Sequence, residues 1–201
     1  MKTAKTVPST AIALVIIALG LWALLLLTLP YSSWLSLVLK VALFGIPAYL
    51  FPRLADRTDP NAFLLLNRAP DIRWIGLSAV FLALYALFVD RGQTGSHSVS
   101  VFFLVAAIVV SPLVEEAMFR GLVLQKLNRL LAFRFSNLAT SLLFLLYHVP
   151  AWIARGQSIS LLGSLWVAFV SLCLGYFLQK SGSLWTCIII HALQNLLTTI
   201  L

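Results

Sequence analysis

Charged side chains are scarce in this sequence, and acidic side chains are the scarcest. The 201 residues include 14 Lys or Arg and 6 Asp or Glu, whereas 61% are hydrophobic. A soluble domain carries about 25% charged residues, and this chain carries 10%. The shortage excludes an ordinary water-soluble enzyme and an intrinsically disordered chain. We therefore expect an integral membrane protein in contact with the lipid bilayer.

Clustered basic residues and paired cysteines are also missing. The formal net charge is +8, but the basic residues are spread between apolar runs. A nucleic-acid-binding surface gathers Lys and Arg on one face, so we expect no nucleic-acid partner. Cys173 and Cys187 both lie within apolar runs. They indicate neither a disulfide framework nor a cysteine metal site.

Long apolar runs, by contrast, occupy most of the chain. A membrane-crossing helix needs about 20 mostly apolar residues, and seven segments approach that length. They are residues 11–29, 33–51, 74–89, 99–122, 137–152, 160–178 and 183–201. These segments predict an all-α fold, a polytopic membrane helical bundle of about seven transmembrane helices.

The distribution of basic residues predicts the orientation of this bundle. If the N-terminus is cytoplasmic, the cytoplasmic side holds Lys2, Lys5, Arg53, Arg57, Arg68, Arg73, Lys126, Arg129, Arg134 and Lys180. The opposite side then keeps only Arg91 and Arg155. Because cytoplasmic loops are enriched in Lys and Arg, we expect a cytoplasmic N-terminus and an external C-terminus. The segment that starts at Lys126 is typical of a helix end that surfaces into lipid headgroups.

The only two glutamates are adjacent, Glu115 and Glu116, within the fourth predicted span. A charge at the centre of a span costs about 2.5–3.5 kcal/mol on insertion scales, so such groups face the bundle interior. Arg120 lies four residues after Glu116 and can pair with it on one helix face. Glu115 points about 100° away and has no such helical partner. We predict that Glu116 and Arg120 are structural, that Glu115 is available for chemistry, and that Lys40 snorkels to the interface.

Three further polar residues lie in the fifth and seventh spans. His191 and Asn195 are four residues apart and share a helix face, and His148 lies in the fifth span. From the nearest cytoplasmic basic residue, Glu115, His148 and His191 are 11, 14 and 11 residues away. At about 1.5 Å per residue these distances are roughly 16–21 Å, close to the bilayer midplane. We therefore expect these side chains to meet at one depth.

The residues form three motifs in order along the chain. Glu115–Arg120 matches EExxxR, Phe144–His148 matches FxxxH, and His191–Asn195 matches HxxxN. In these motifs the chain resembles the CPBP (Abi, CAAX-protease-like) family of intramembrane endopeptidases, over about residues 111–198. The resemblance implies an N-terminal part of three spans, residues 1–98, and a catalytic core of four spans, residues 99–201.

What the resemblance implies is hydrolysis of a peptide bond within the membrane. Glu115 would activate a water that His148 helps to position, and His191 and Asn195 would hold that water or stabilise the oxyanion. Glu116 and Arg120 would brace the site, with Phe144 of the second motif as further support.

The implied substrate is a membrane-associated peptide or protein, which includes CAAX-like sequences and leader or sorting signals. It would reach the site from the membrane or from the cytoplasmic face. The short chain favours a prokaryotic member of the family, in the plasma or inner membrane.

Two alternatives stay open. In a metal-dependent version, Glu115, His148 and His191 bind Zn²⁺. We favour no cofactor, because Asn195 is a poor zinc ligand and the sequence has no HExxH motif. The second alternative is a non-catalytic membrane protein, either a proton-coupled transporter or an immunity or scaffold protein, since buried Glu and His also form proton relays.

Overall fold

The regular elements of the protein are helices, as seen in a computed structural model that describes residues 8–29, 34–88 and 101–200. Lys2, Lys5 and Arg91, on which part of the predicted orientation rests, lie outside these ranges. The helices are α1 (Pro8–Thr28), α2 (Trp34–Leu54), α3 (Pro60–Phe63), α4 (Ile72–Phe88), α5 (residues 101–127), α6 (Phe133–Ala154), α7 (Leu161–Ser181) and α8 (Leu184–Ile200).

All of these helices except the short α3 coincide with predicted spans. Within the described residues, four helices are long and apolar enough to cross a bilayer, namely α1, α2, α6 and α7. The apolar parts of α4 and α8 are shorter, Ile72–Tyr85 and Leu184–Thr198. The predicted all-α membrane bundle is thus confirmed in its helical character, while the number of about seven crossings stays a prediction.

Two of the long helices widen into π-helical turns just before a proline. In α2 the π segment Val41–Gly45 precedes Pro47, and in α5 the segment Val105–Val110 precedes Pro112. Proline lacks an N–H and clashes with the carbonyl four residues earlier, so the regular hydrogen-bond ladder cannot continue through that turn. A third π segment, Ala117–Leu124, continues α5 directly after the glutamates. Such segments are frequent at functional sites.

Helix α5 forms the centre of the core. Met118, Phe119 and Leu122, in the two turns after Glu116, are 0% exposed. Lys126 is also buried and donates to the carboxylate of Asp56. The prediction that this part of the chain surfaces into headgroups is therefore wrong for Lys126, because the α2–α3 connection supplies an acid that covers it. The end of the bundle that contains Lys126 is therefore filled by packed side chains.

The chain between α3 and α4 fastens the start of α8. The carbonyl of Leu65 accepts a hydrogen bond from the backbone N–H of Leu184 at 3.2 Å, and the carbonyl of Leu66 accepts one from the indole N–H of Trp185 at 2.8 Å. The backbone carbonyl of Arg68 accepts a hydrogen bond from the hydroxyl of Ser183 at 2.9 Å. These contacts fix the first turn of the helix that carries the HxxxN motif.

Candidate active site

Glu115 lies in a buried ion pair that crosses from α5 to α2. The Lys40 ammonium donates to Glu115 Oε1 at 2.6 Å and to Ser111 Oγ at 2.6 Å. Tyr147 donates its hydroxyl to the same Oε1 at 3.1 Å. The Lys40 and Glu115 side chains are only 7% and 6% exposed. The prediction that Lys40 snorkels is therefore wrong, because its chain turns inward to a carboxylate that would otherwise be unpaired.

The charge balance of the predicted spans contained a signal for this pair. The fourth span holds two glutamates and one arginine, so one negative charge lacks a partner within its helix. Lys40 is the one basic residue within the other predicted spans. Buried charges are paired in native proteins because an unpaired charge is costly. Counting charges across spans, rather than within one helix, would have matched Lys40 with Glu115.

Glu116 faces the packed side of α5 and pairs with Arg120 as predicted. Arg120 Nη1 donates to Glu116 Oε1 at 2.9 Å, and both side chains are 0% exposed. The other terminal nitrogen of Arg120 donates to the hydroxyl and the carbonyl of Ser171 on α7, at 2.8 and 3.1 Å. The Phe144 ring lies 4.4 Å from the guanidinium carbon, within cation–π range. This cluster joins α5, α6 and α7.

His191 lies between the two glutamates. Its Nδ1 is 2.7 Å from Glu116 Oε1, and its Nε2 is 3.8 Å from Glu115 Oε2. Because Arg120 holds Glu116 as a carboxylate, which only accepts hydrogen bonds, Nδ1 must carry the proton. The other ring nitrogen, Nε2, then faces Glu115 Oε2 at 3.8 Å. The contact between His191 and Glu116 was not predicted from the sequence.

His148 and Asn195 are each held by a backbone carbonyl. His148 Nδ1 donates to the carbonyl of Phe144 at 2.8 Å, one turn earlier in α6. The Asn195 amide donates to the carbonyl of Ala107 at 2.8 Å, in the π-helical part of α5. A π turn shifts the direction of its carbonyls relative to an α-helix. The irregular turn before Pro112 therefore gives Asn195 an anchor on a neighbouring helix.

A cavity of about 530 Å³ brings the predicted residues together. Glu115, His148, His191 and Asn195 all line it, and so do Lys40 and Phe144. Its volume lies within the range of about 300–1,000 Å³ that ligand pockets occupy. Three helices thus bring a carboxylate and two imidazoles to one cavity, while their common depth near the bilayer midplane stays a prediction. Glu116 and Arg120 are buried behind it.

The residues of the zinc version do not fit a metal ion in this arrangement. A catalytic zinc takes three protein ligands at about 2.0–2.3 Å. Among the described residues, no group of three or more His, Cys, Asp or Glu side chains is placed to hold a metal. The Lys40 ammonium, 2.6 Å from Glu115 Oε1, would also repel a divalent cation there.

Comparison with known proteins supports the resemblance that the motifs suggested. A family model described as type II CAAX prenyl endopeptidase Rce1-like matches residues 97–197, half of the chain. Comparison with curated proteins and with solved structures gives no match. The matched half contains all three motifs and leaves Lys40 outside. The chain belongs to the Rce1-like family of type II CAAX prenyl endopeptidases, and it is an integral membrane protein.

Proposed function

We propose that this protein is an intramembrane endopeptidase that hydrolyses a peptide bond in a membrane-associated substrate, with Glu115 as the general base. The observation that carries the proposal is the asymmetric environment of the Glu115 carboxylate. Lys40 and Tyr147 bind Oε1, whereas Oε2 lies toward His191 Nε2 at 3.8 Å. One oxygen is thus held in place and the other is oriented toward the catalytic histidine.

The attacking water would lie between Glu115 Oε2 and His191 Nε2. In this proposal His191 is neutral, so both atoms are acceptors and a water can donate one hydrogen bond to each of them. On attack at the carbonyl carbon, Glu115 takes one proton from this water, and the water oxygen forms the new C–O bond. Glu115 then returns the proton to the departing amine as the C–N bond breaks. In this scheme His191 holds the water, which is the first of the two roles that the sequence left open for it.

Asn195 and His148 supply the remaining contacts. The Asn195 amide is a hydrogen-bond donor, and Ala107 fixes its position at 2.8 Å, so it suits stabilisation of the oxyanion. Because His148 Nδ1 donates to the Phe144 carbonyl, Nε2 is the ring nitrogen left to position water or substrate. No step requires a metal ion. Three supporting residues lie behind the site and hold His191 and α5 in position, namely Glu116, Arg120 and Phe144.

The predicted membrane arrangement completes the proposal. Seven helices cross the membrane, with the N-terminus in the cytoplasm and the C-terminus outside a prokaryotic plasma or inner membrane. Residues 99–201 form the catalytic core, and residues 1–98 form three N-terminal spans. The N-terminal part also serves the chemistry in this proposal, because it supplies Lys40.

The direct test is purification in detergent and an assay against a library of quenched peptides, with and without a prenylated cysteine. We expect cleavage of some peptides by the wild-type chain. Asn195→Ala should lower turnover by about 10²–10³-fold, as the loss of one oxyanion donor does, with substrate binding largely kept. Absence of cleavage across the library, together with proton-coupled flux in vesicles, would contradict the endopeptidase and support the transporter.

A further inference from the structure

A second pocket, of about 440 Å³, lies where α2 ends and α3 begins. We call it the arginine pocket, and its lining residues are Tyr49, Arg53, Arg57, Thr58, Asp59 and Pro60. Tyr49 and Arg53 are four residues apart on α2 and so share one helix face. None of these residues lines the cavity beside Glu115. The arginine pocket is therefore separate from the candidate active site.

The charges of the arginine pocket favour an anion. Among the described residues, neither Arg53 nor Arg57 forms an ion pair with a carboxylate. Asp56 turns inward to Lys126. The two carboxylate oxygens of Asp59 accept hydrogen bonds from the first backbone N–H groups of α3, at 3.3 and 3.1 Å. Two guanidinium groups and one carboxylate leave the pocket with a surplus of one positive charge.

The backbone at Arg57 has a conformation that is unusual for an arginine. Its φ is 54°, in the left-handed region that favours glycine. The next residue holds this turn in place, because the Thr58 N–H and hydroxyl both donate to the carbonyl of Pro52, at 3.0 and 3.2 Å. Residues in such strained conformations cluster at binding and active sites. Glycine would relieve the strain, but it would also remove the second guanidinium from the arginine pocket.

The last turns of α2 also expose an apolar stripe next to the arginine pocket. Ile46, Leu50 and Leu54 follow one another at four-residue spacing and are 49%, 37% and 72% exposed. In a membrane protein such a stripe faces the acyl chains of the lipids. Tyr49 lies beside it, and tyrosine is enriched where membrane and water meet. An amphipathic ligand with an anionic head and an apolar tail matches both surfaces.

We propose that the arginine pocket binds the headgroup of an anionic phospholipid that carries one phosphodiester, such as phosphatidylglycerol. Arg53 and Arg57 donate charge-assisted hydrogen bonds to the phosphate oxygens, for which the planar guanidinium is well shaped. The acyl chains lie along the stripe of Ile46, Leu50 and Leu54. A single negative charge balances the surplus of the pocket, whereas a zwitterionic headgroup would bring an ammonium beside two guanidinium groups. The inference is independent of the proposed catalytic activity.

Native mass spectrometry of the full chain in detergent, titrated with phosphatidylglycerol or phosphatidylcholine, tests the proposal. We expect wild type to retain one phosphatidylglycerol and to bind phosphatidylcholine more weakly. Arg53→Gln should weaken phosphatidylglycerol binding by about tenfold, as the loss of a hydrogen bond between charged groups does. Arg57→Gly should weaken it to a similar extent. Because glycine suits the backbone at position 57, the lipid-free Arg57→Gly chain should unfold at a temperature no lower than wild type.

Arg134→Gln is the matched control for a basic residue at the membrane surface. Arg134 is exposed at the start of α6 beside Phe135, which is 52% exposed, but it does not line the arginine pocket. We expect this variant to bind phosphatidylglycerol as wild type does. A second control is glycerol phosphate, which has the phosphate without acyl chains and should displace the lipid poorly.

Four results would overturn the proposal. The first is phosphatidylcholine binding to wild type as tightly as phosphatidylglycerol, and the second is unchanged phosphatidylglycerol binding in Arg53→Gln and Arg57→Gly. The third is an equal loss in Arg134→Gln, which would make the contact a general property of basic residues at the membrane surface. The fourth is displacement of the lipid by glycerol phosphate at matched concentration, which would assign the pocket to a soluble phosphate. The comparison of the two lipids uses wild type alone, so it stands even if a variant fails to fold.

Discussion

The cavity side and the packed side of α5 give two adjacent glutamates different surroundings. On the cavity side, Glu115 pairs with Lys40 of α2 and keeps one oxygen oriented toward His191 Nε2. On the packed side, Glu116 pairs with Arg120 of its own helix and is 0% exposed. Each carboxylate therefore has a cation, which explains how a Glu-Glu pair is accommodated inside a membrane protein. The difference lies in what each pair faces, a cavity or the core.

The two glutamates differ in whether their carboxylates can reach water or substrate. A carboxylate beside a cavity can exchange a proton with water or substrate, whereas one sealed among side chains can only hold its neighbours. His191 links the two regions, because its Nδ1 contacts Glu116 at 2.7 Å while its Nε2 faces Glu115. The packed side thus orients the histidine that holds the attacking water in the proposed mechanism.

The largest expected effect is on the packed side. Removing one partner of a buried ion pair typically costs about 3–5 kcal/mol, because the other charge is left unpaired. Arg120→Ala should lower the free energy of unfolding by about that amount and reduce the amount of folded protein, along with activity. Thermal unfolding in detergent measures this. An Arg120→Ala chain as stable as wild type but inactive would instead make Arg120 a catalytic residue.

A smaller effect on folding is expected on the cavity side. Lys40→Met removes the charge, but the Glu115 carboxylate left behind borders a cavity of about 530 Å³ that can admit water. We expect a smaller loss of stability than for Arg120→Ala, and a fall in kcat of up to about 10²-fold, since misplacement by about 1 Å can cost that much. Lys40→Arg is the control that keeps the charge and should retain more activity. Equal loss in both variants would mean that the ammonium's charge is not what matters.

The smallest change is expected from metal removal, which should not affect turnover. Dialysis of active protein against a strong chelator should leave turnover unchanged, and elemental analysis should find well under one zinc per chain. Stoichiometric zinc that is lost with activity and restores it on addition would contradict the metal-free chemistry. Glu115, His148 and His191 would then be ligands, and the role of Lys40 would need revision.

Contacts within one helix were predictable from the sequence, and contacts between helices were only partly so. The Glu116–Arg120 pair follows from spacing along one helix, and the apolar segments gave the positions of the helices. The Lys40–Glu115 pair joins residues 75 positions apart, and no local pattern encodes such a contact. The same holds for His191 with Glu116. Both contacts form only when α2 and α8 pack against α5.

The central claim is that Glu115 is the base and Glu116 its support, and parallel measurements on Glu115→Gln and Glu116→Gln test it most directly. Glutamine keeps the size of each side chain and removes its basic oxygen. We predict that Glu115→Gln loses at least about 10²-fold in turnover while its unfolding temperature stays near that of wild type. Glu116→Gln should unfold at a clearly lower temperature, because Arg120 and His191 lose their carboxylate. An active Glu115→Gln chain, or the two variants behaving alike, would contradict the account.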